Sequence, residues 1–459
     1  MPSTARTLWA PPAPDEVRAI RRDVADRLAA RLQAEPINDP ETRRHLGRAL
    51  LADVLTERAT AQVRAGRPGP TVEEEHILAE AVMAALFGLG RLQPLIENPD
   101  IENIEVNGCD QVWLSYADGR VEKGPPVADS DEELIEILQL LVSRVGGAER
   151  TFSSAGPRLH LRLDDGSRLA AMAWTTPRPQ IVIRRHRVLD VDLDALVGLG
   201  TLDPTLASFL RSALRAGKNM VVTGLQNAGK TTLIRALANE FHPMERFGTI
   251  EREYELHLHE MPDRHPRVMA MEAREGSSER DVNGRRAGEV TLSDLVVDAL
   301  RMNLRRIMVG EVRGAEVVPM LEAMTTGDGS LCTLHARSAH HAIDRIVTLC
   351  MSTGHGMTDA FAYRLAAGAI DFVVHCQMLD ESHLGGRRHR FVSEVLEVNG
   401  IGEFGRPSIT TVFKPGLDGR AVPAHPPVCM AELERFGFDA RLLDVTSAWG
   451  TGAGPGTVR

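Results

Sequence analysis

The sequence predicts an α/β protein, a mostly parallel sheet with packed helices preceded by a smaller α+β domain. Three observations carry this prediction. Met220–Leu233 reads as a short apolar strand, a glycine-bounded turn and then a helix. From Leu206 to about Gly400, strand-like and helix-like segments alternate, as they do in parallel α/β domains. Upstream, short β-rich runs are punctuated by Asn-Gly and Asp-Gly turns, which signal antiparallel hairpins.

Taken in order, residues 1–40 are rich in Pro, Ala and charge and are expected to form a tail, with helical potential around Glu16–Leu32. Residues 41–87 form a helical segment, with Leu50, Leu51, Val54 and Leu55 at helical spacing. Residues 88–187 read as the α+β domain. There Ile101, Ile104 and Val106 precede Asn107-Gly108, and Val112-Trp113-Leu114 precedes Ala117-Asp118-Gly119. Asp131–Val145 has a helical pattern, while Leu159–Ala171 and Gln180–Arg185 read as strands around the Asp164-Asp165-Gly166 turn. The glycine-punctuated stretch 188–205 fits a linker. Residues 206–400 then form the main α/β domain, opening with a helix at Leu206–Ala216. Within it, Glu272–Glu289 is polar and Gly-bearing, as expected of a mobile loop. Residues 401–459 are expected to be a C-terminal extension ending in a flexible tail, Gly450–Arg459.

At 459 residues the chain exceeds what one core usually organises, so two or three domains are expected. A formal charge of −10 argues against a general nucleic-acid binder, and no stable nucleic acid is expected. Cysteines 109, 332, 350, 376 and 429 are widely spaced with no C-x-x-C, which favours a reducing compartment over a zinc module. No apolar run approaches the ~18 residues of a membrane span. The expectation is a cytoplasmic protein with no direct membrane insertion, any contact with the inner face of the membrane coming through partners.

The motif at 224–231, Gly224-x-x-x-x-Gly229-Lys230-Thr231, is the pattern of a phosphate-cradling P-loop. Glycines at its ends let successive N–H groups converge on phosphate oxygens, and the following helix adds its positive dipole end. Gly224, Gln226, Asn227, Ala228, Gly229, Lys230, Thr231 and Thr232 are the candidate nucleotide-binding residues. Lys230 would reach the β- and γ-phosphates of ATP, and Thr231 would ligate Mg²⁺. Lysine usage sharpens the point. Of 53 basic residues only Lys123, Lys218, Lys230 and Lys414 are lysines. Arginine has taken nearly every place where either cation serves, and Lys230 survives where a compact ammonium is wanted.

Three downstream segments add polar groups. If Thr249–Leu256 is extended, Glu251, Glu253 and Glu255 project from one face, suited to ordering Mg²⁺-associated or attacking water. Read alone, that run fits a solvated edge strand better. Ile307-Met308-Val309 is a buried-strand signature with Glu311 just past it, a Walker B position serving a metal or its water. Gly310 stands where many such proteins carry a Mg²⁺-linked Asp. A Thr-Gly-Asp-Gly-Ser turn at 326–330 feeds a short strand ending at His335, a candidate sensor of phosphate, though a lone His is more often structural.

In this order and spacing, TIEREYEL (249–256), VGEVRGAE (309–316) and TGDGSLCTLHA (326–336) resemble the Asp box, Walker B and His box of the type II/type IV secretion superfamily ATPases. The branch most resembled is the tight-adherence (Flp) pilus-assembly motors, the CpaF-like ATPases. Upstream, residues 88–108, 158–168 and 181–186 resemble that family's N-terminal domain. The resemblance spans about Phe87 to Gly400.

It implies a RecA-like P-loop ATPase domain, a homohexameric ring and inner-membrane platform proteins of a pilus or secretion system as partners. By position, Glu255 would be the general base, Glu311 the Walker B carboxylate and His335 the His-box sensor. Arg162, Arg168 and Arg184 would close over the phosphates, with Arg274, Arg301 and Arg313 as weaker candidates. The expected function is a Mg²⁺-dependent ATPase powering pilus assembly or protein secretion. Several positions depart from the pattern. Leu225 to Ala228 replace the usual Gly, Thr and Ser, Arg252 replaces the acidic residue of the Asp box, and the His box lacks its first His. Asn303-Leu304-Arg305 replaces a usual x-Pro-Asp. These departures motivate an alternative, an ATP-binding scaffold or regulatory ring with little hydrolysis. A motor of a DNA-transfer, conjugation-type system is a further alternative.

Overall fold

The computed structural model describes residues 14–34, 39–116, 119–145, 152–163, 165–185, 190–274, 276, 286–354, 356–381, 384, 386 and 388–444. The chain divides into two compact units, Met1–Arg187 and Val188–Arg459.

The first unit opens with α1 (Pro14–Ala34), α2 (Pro40–Arg64) and α3 (Val72–Phe87). Asp39 caps α2 through the Thr42 amide, and Thr71 with Glu74 forms a capping box at α3. Residues 1–40 are therefore not a tail throughout. Ile20 and Val24 of α1 are buried with Leu51, Val54, Leu55, Val82 and Met83 of the other two helices. The apolar stripe that gave this segment its helical potential has partners to cover it.

α4 (Gln93–Glu97) leads into β1 (Ile101–Asn107), β2 (Gln111–Tyr116), β3 (Val121–Lys123), α5 (Asp131–Val145), β4 (Arg158–Arg162), β5 (Arg168–Met172) and β6 (Gln180–Arg184). The six strands make one antiparallel sheet in the order β3-β2-β1-β6-β5-β4. Strict alternation puts Ile104, Val106, Val112, Leu159, Leu161, Leu169, Ile181 and Ile183 on one face, buried with Leu134 and Leu138 of α5. Asn107-Gly108 turns the first hairpin, with Gly108 at φ 69° and Asn107 opposite Gln111. The predicted turn residues Ala117, Asp118 and Asp164 lie outside the described residues.

The second unit runs α6 (Leu193–Gly198), α7 (Pro204–Arg215), β7 (Met220–Gly224), α8 (Lys230–Ala238), β8 (Phe247–Glu251), β9 (Met269–Glu272), α9 (Leu292–Ala299) and β10 (Arg306–Val312). It continues with α10 (Val317–Thr326), β11 (Leu331–Leu334), α11 (Ala339–Met351), α12 (Asp359–Ala369), β12 (Phe372–Asp380), β13 (Arg388–Ile401), β14 (Pro407–Pro415), β15 (Ala421–Pro423) and α13 (Met430–Arg435). Nine strands form one sheet, ordered β15-β14-β13-β12-β7-β11-β10-β8-β9. The run from β12 to β9 is parallel, and β13, β14 and β15 add to it antiparallel. Central β7 is fully buried on both faces, which is why it reads as an unbroken apolar run. One face packs α7 and α8, and the other packs α9 to α12. Among the described residues no single helix is long and apolar enough to cross a membrane.

Two boundaries differ from the sequence expectation. Residues 188–205 are not a free linker, because Asp192 caps α6 and Val191, Leu193, Leu196 and Leu202 are buried in the core of the second unit. Nor is 401–459 an appended extension. β14, β15 and α13 complete the sheet and its core, with Phe413 and Phe438 packed edge-on against Phe209 at 5.3 and 5.5 Å. Residues 445–459, and 275 with 277–285 of the predicted mobile loop, lie outside the described residues.

Candidate nucleotide site at the strand ends

The P-loop is built as its glycines require. A Cβ on Gly224, at φ 148°, would stand 2.3 Å from the Cys376 carbonyl oxygen of neighbouring β12, so a side chain is excluded there. Asn227 (φ 62°) and Gly229 (φ 90°) are both left-handed and flank buried Ala228. Alternating hand of this kind turns successive N–H groups into an anion-binding concavity. Gly229 is the N-cap of α8 and Lys230 its first residue. Leu225, Gln226 and Asn227 are exposed, while Thr231 and Thr232 are partly exposed. Lys230 lies back over the loop, its Nζ donating to the Leu225 carbonyl at 2.8 Å.

From Lys230 a chain of contacts runs along the strand ends. Its Nζ lies 3.3 Å from His335 Nδ1, and His335 Nε2 lies 2.9 Å from Glu311 Oε1. Ammonium has only donors, so Nδ1 accepts and the ring proton sits on Nε2, facing the carboxylate. Glu311 reaches this place through a bulge. Val309 pairs with Cys332 and Val312 with Leu334, leaving one extra residue in β10 across Gly310-Glu311. Burial pushes the Glu311 carboxyl up, but His335 and Arg313 overcome that and hold it down at about 2.

The predicted row of three outward carboxylates does not form. β8 ends at Glu251 and the chain turns away, so Glu251, Glu253 and Glu255 do not share a strand face. Glu251 is instead 1% exposed. Its Oε1 accepts the amides of Glu255 and Leu256, each at 2.9 Å. Burial pushes its carboxyl up to about 7. Glu255 stays near the P-loop, its Oε2 being 3.4 Å from Thr231 Oγ1. Arg252 is exposed.

In the first unit, Arg162 pairs with Arg168 across β4 and β5, and Arg168 with Arg184 across β5 and β6. The three arginines therefore form one cross-strand row on a single sheet face. Arg313 lies on Glu311, whereas Arg274 and Arg301 donate to local carbonyls, those of Gly288 and Val297.

Sequence reasoning missed two residues. Arg235 on α8 is 2% exposed and donates to the Leu256 carbonyl at 2.9 Å and to that of Glu255. Its signal was present, a lone cation inside the apolar run Leu233–Ala238. Arg390 of β13 donates to the Asn227 carbonyl at 2.8 Å. Nothing local marks it, because that contact joins positions 163 apart in the chain.

A family profile described as "Type II/IV secretion system protein" matches residues 134–407. The type IV secretion system protein PtlH of Bordetella pertussis is 30% identical over 327 residues, 67% of this chain and 93% of PtlH. A Mycobacterium tuberculosis protein whose name proposes it as a conjugal transfer protein is 31% identical over 299 residues, 63% of this chain and 80% of the relative. Among solved structures, the VirB11 ATPase of the Brucella suis type IV secretion system, in complex with sulphate, matches at 25% identity and a TM-score of 0.34, covering 69% of this chain and 95% of that one.

Proposed function

This chain belongs to the type II/IV secretion system protein family, and from that premise we propose that it hydrolyses ATP to power pilus assembly or protein secretion across a cell envelope. The observation that carries the reading is the convergence at the P-loop, where contacts join Lys230 to His335, His335 to Glu311 and Thr231 to Glu255. P-loop amides and Lys230 bind the β- and γ-phosphates. Glu255 takes a proton from water as its oxygen attacks the γ-phosphorus and the bond to the ADP oxygen breaks. His335 joins the phosphate-binding ammonium to the Walker B carboxylate, so a shift of either moves the other. Arg162, Arg168 and Arg184 supply guanidinium groups suited to pairing with phosphate oxygens.

The donors present fit Mg²⁺. Thr231 and Glu311 offer the hard oxygen ligands this ion prefers. When bound, Mg²⁺ neutralises charge on the β- and γ-phosphates.

The finer reading is a cytoplasmic homohexamer of the tight-adherence pilus branch, docked on inner-membrane platform proteins. Light scattering with and without an ATP analogue tests the ring, and a strictly monomeric protein would count against it. Steady-state phosphate release by wild type and Glu255→Gln tests the chemistry. Turnover should collapse in the variant while ATP still binds, and equal turnover in both removes Glu255 as the base. A silent wild type, with and without its membrane partner, would shift the reading to an ATP-binding scaffold. One observation favours a second reading, a motor for DNA transfer, namely the role that the mycobacterial relative's name proposes. DNA-stimulated turnover would move the proposal there.

A further inference from the structure

Glu255 lies beyond the end of β8, on irregular backbone, where a side chain is least constrained by sheet pairing. A general base needs its carboxylate held within a few tenths of an ångström of a productive position. The structure holds this stretch from both sides. On one side Glu251 Oε1 accepts the N–H groups of Glu255 and Leu256, both at 2.9 Å. On the other, Arg235 donates from Nε to the Leu256 carbonyl at 2.9 Å and from Nη2 to the Glu255 carbonyl. Two consecutive residues thus have both amides and both carbonyls taken by two ionisable side chains. One comes from the end of β8 and the other from the P-loop helix. Both anchors are almost fully buried, Glu251 at 1% and Arg235 at 2% exposure.

The neighbouring strand makes room for this arrangement. A Cβ on Gly310 would lie 3.0 Å from Glu251 Cγ and 3.3 Å from its Oε1. The glycine that stands where related sites carry an acidic residue therefore gives Glu251 its seat. Burying two ionisable groups to bind four backbone atoms is expensive. That expense points to a requirement for precise placement of the peptide they grip.

We propose that Glu251 and Arg235 are positioning residues for Glu255, a clamp that fixes the 255–256 backbone and so aims the Glu255 carboxylate beside Thr231. The proposal rests on the reading of Glu255 as the base. Because Arg235 belongs to the P-loop helix, the clamp also ties the base to the phosphate-binding element, so the two move as one body.

The test measures kcat, KM and nucleotide-analogue affinity on the full chain for Glu251→Ala, Glu251→Gln, Arg235→Lys, Glu255→Gln and the double variant Glu251→Ala/Glu255→Gln. Glu251→Ala should lower kcat at least about tenfold, with analogue affinity unchanged within about twofold, because the phosphate-binding groups stay in place. Glu251→Gln retains an acceptor oxygen for the two amides and should recover most of the rate. The double variant should be no slower than Glu255→Gln alone, since a clamp has nothing to aim once the base is gone. A fall that adds in full to the Glu255 effect would show a merely structural role and overturn the proposal. So would a Glu251→Ala protein with wild-type kcat. If Glu251→Ala fails to fold, Arg235→Lys carries the same prediction, because lysine keeps the charge but cannot fork across two carbonyls. Wild-type turnover in Glu255→Gln would instead defeat the base assignment. An inactive Glu255→Gln beside a fully active Glu251→Ala defeats only the clamp.

Discussion

Arg313 closes on Glu311 with two contacts, Nε to Oε1 at 2.5 Å and Nη2 to Oε2 at 2.6 Å, so the Glu311 carboxylate is engaged by a cation from its own strand end. A carboxylate held at about 2 contributes stability above the ordinary carboxylate range and loses it as pH falls through about 2. Arg313 is largely exposed, with 58% of its side chain accessible, so the pair's share is below about 1 kcal/mol. With Glu311 as the proposed Mg²⁺ ligand, the same pair would compete with the ion for it. Arg313→Ala should therefore lower the Mg²⁺ concentration for half-maximal turnover by roughly two- to fivefold, the factor that 0.5–1 kcal/mol gives. A Mg²⁺ titration of phosphate release decides this. Loss of turnover at saturating Mg²⁺ would mean instead that Arg313 acts on phosphate.

Lys230 donates to the Leu225 carbonyl and lies against His335, a position that carries its ammonium over the loop. Lys230→Ala should cut kcat by roughly 10²–10³, the range for losing one charge-stabilising donor in a transition state. Lys230→Arg should not rescue it, since a planar fork does not replace a compact ammonium. Single-turnover hydrolysis with saturating ATP separates this effect from weakened binding.

The parts of the molecule legible beforehand were those whose cause is local. β7 is apolar because both its faces are covered, and the P-loop glycines announce turns. The hairpins follow from Asn107-Gly108 and from the turn at Gly166 (φ 81°). What was illegible depends on contacts distant in sequence. β14, β15 and α13 belong to the main core because Phe209 offers edges to Phe413 and Phe438, which no window of residues reveals. Glu251 looked like one of three alternating carboxylates, since a period of two cannot say where a strand stops. Past Glu251 the chain turns, Arg235 takes the Glu255 and Leu256 carbonyls, and the Glu251 side chain fills the space beside Gly310.

Burial holds the Glu251 carboxyl at about 7 against an ordinary 4.5. The folded state therefore binds this proton more tightly than the unfolded chain does. The stability it brings is complete below about pH 4.5 and is lost as pH rises through about 7, a change of about 3 kcal/mol. Glu251→Gln should remove that dependence. Relative to wild type, the variant should gain up to about 3 kcal/mol between pH 4.5 and pH 8. The difference across pH is the readout, because any cost of the new amide N–H groups is the same at both values. Denaturant unfolding at the two pH values measures it, and parallel curves for the two proteins would show that Glu251 does not titrate in this window.

Two glycines beside the site separate binding from chemistry. Gly224 faces a backbone carbonyl, with the Cys376 oxygen 2.3 Å from where a Cβ would stand, and its φ of 148° is strained for any side chain. Gly224→Ala should therefore distort the loop itself and abolish nucleotide affinity. Gly310 is outside the left-handed region and faces the Glu251 side chain, with its added Cβ 3.0 Å from Cγ. Here the neighbour gives way, so the expected stability cost is about 1–3 kcal/mol. The displaced group would be the one that holds the Glu255 and Leu256 amides. Gly310→Ala should then bind an ATP analogue as wild type does while kcat falls, and its further combination with Glu251→Ala should cost little more. Isothermal titration with the analogue beside steady-state phosphate release reads both quantities. Loss of binding in Gly310→Ala would place this glycine with the phosphate loop instead of with the carboxylate behind it.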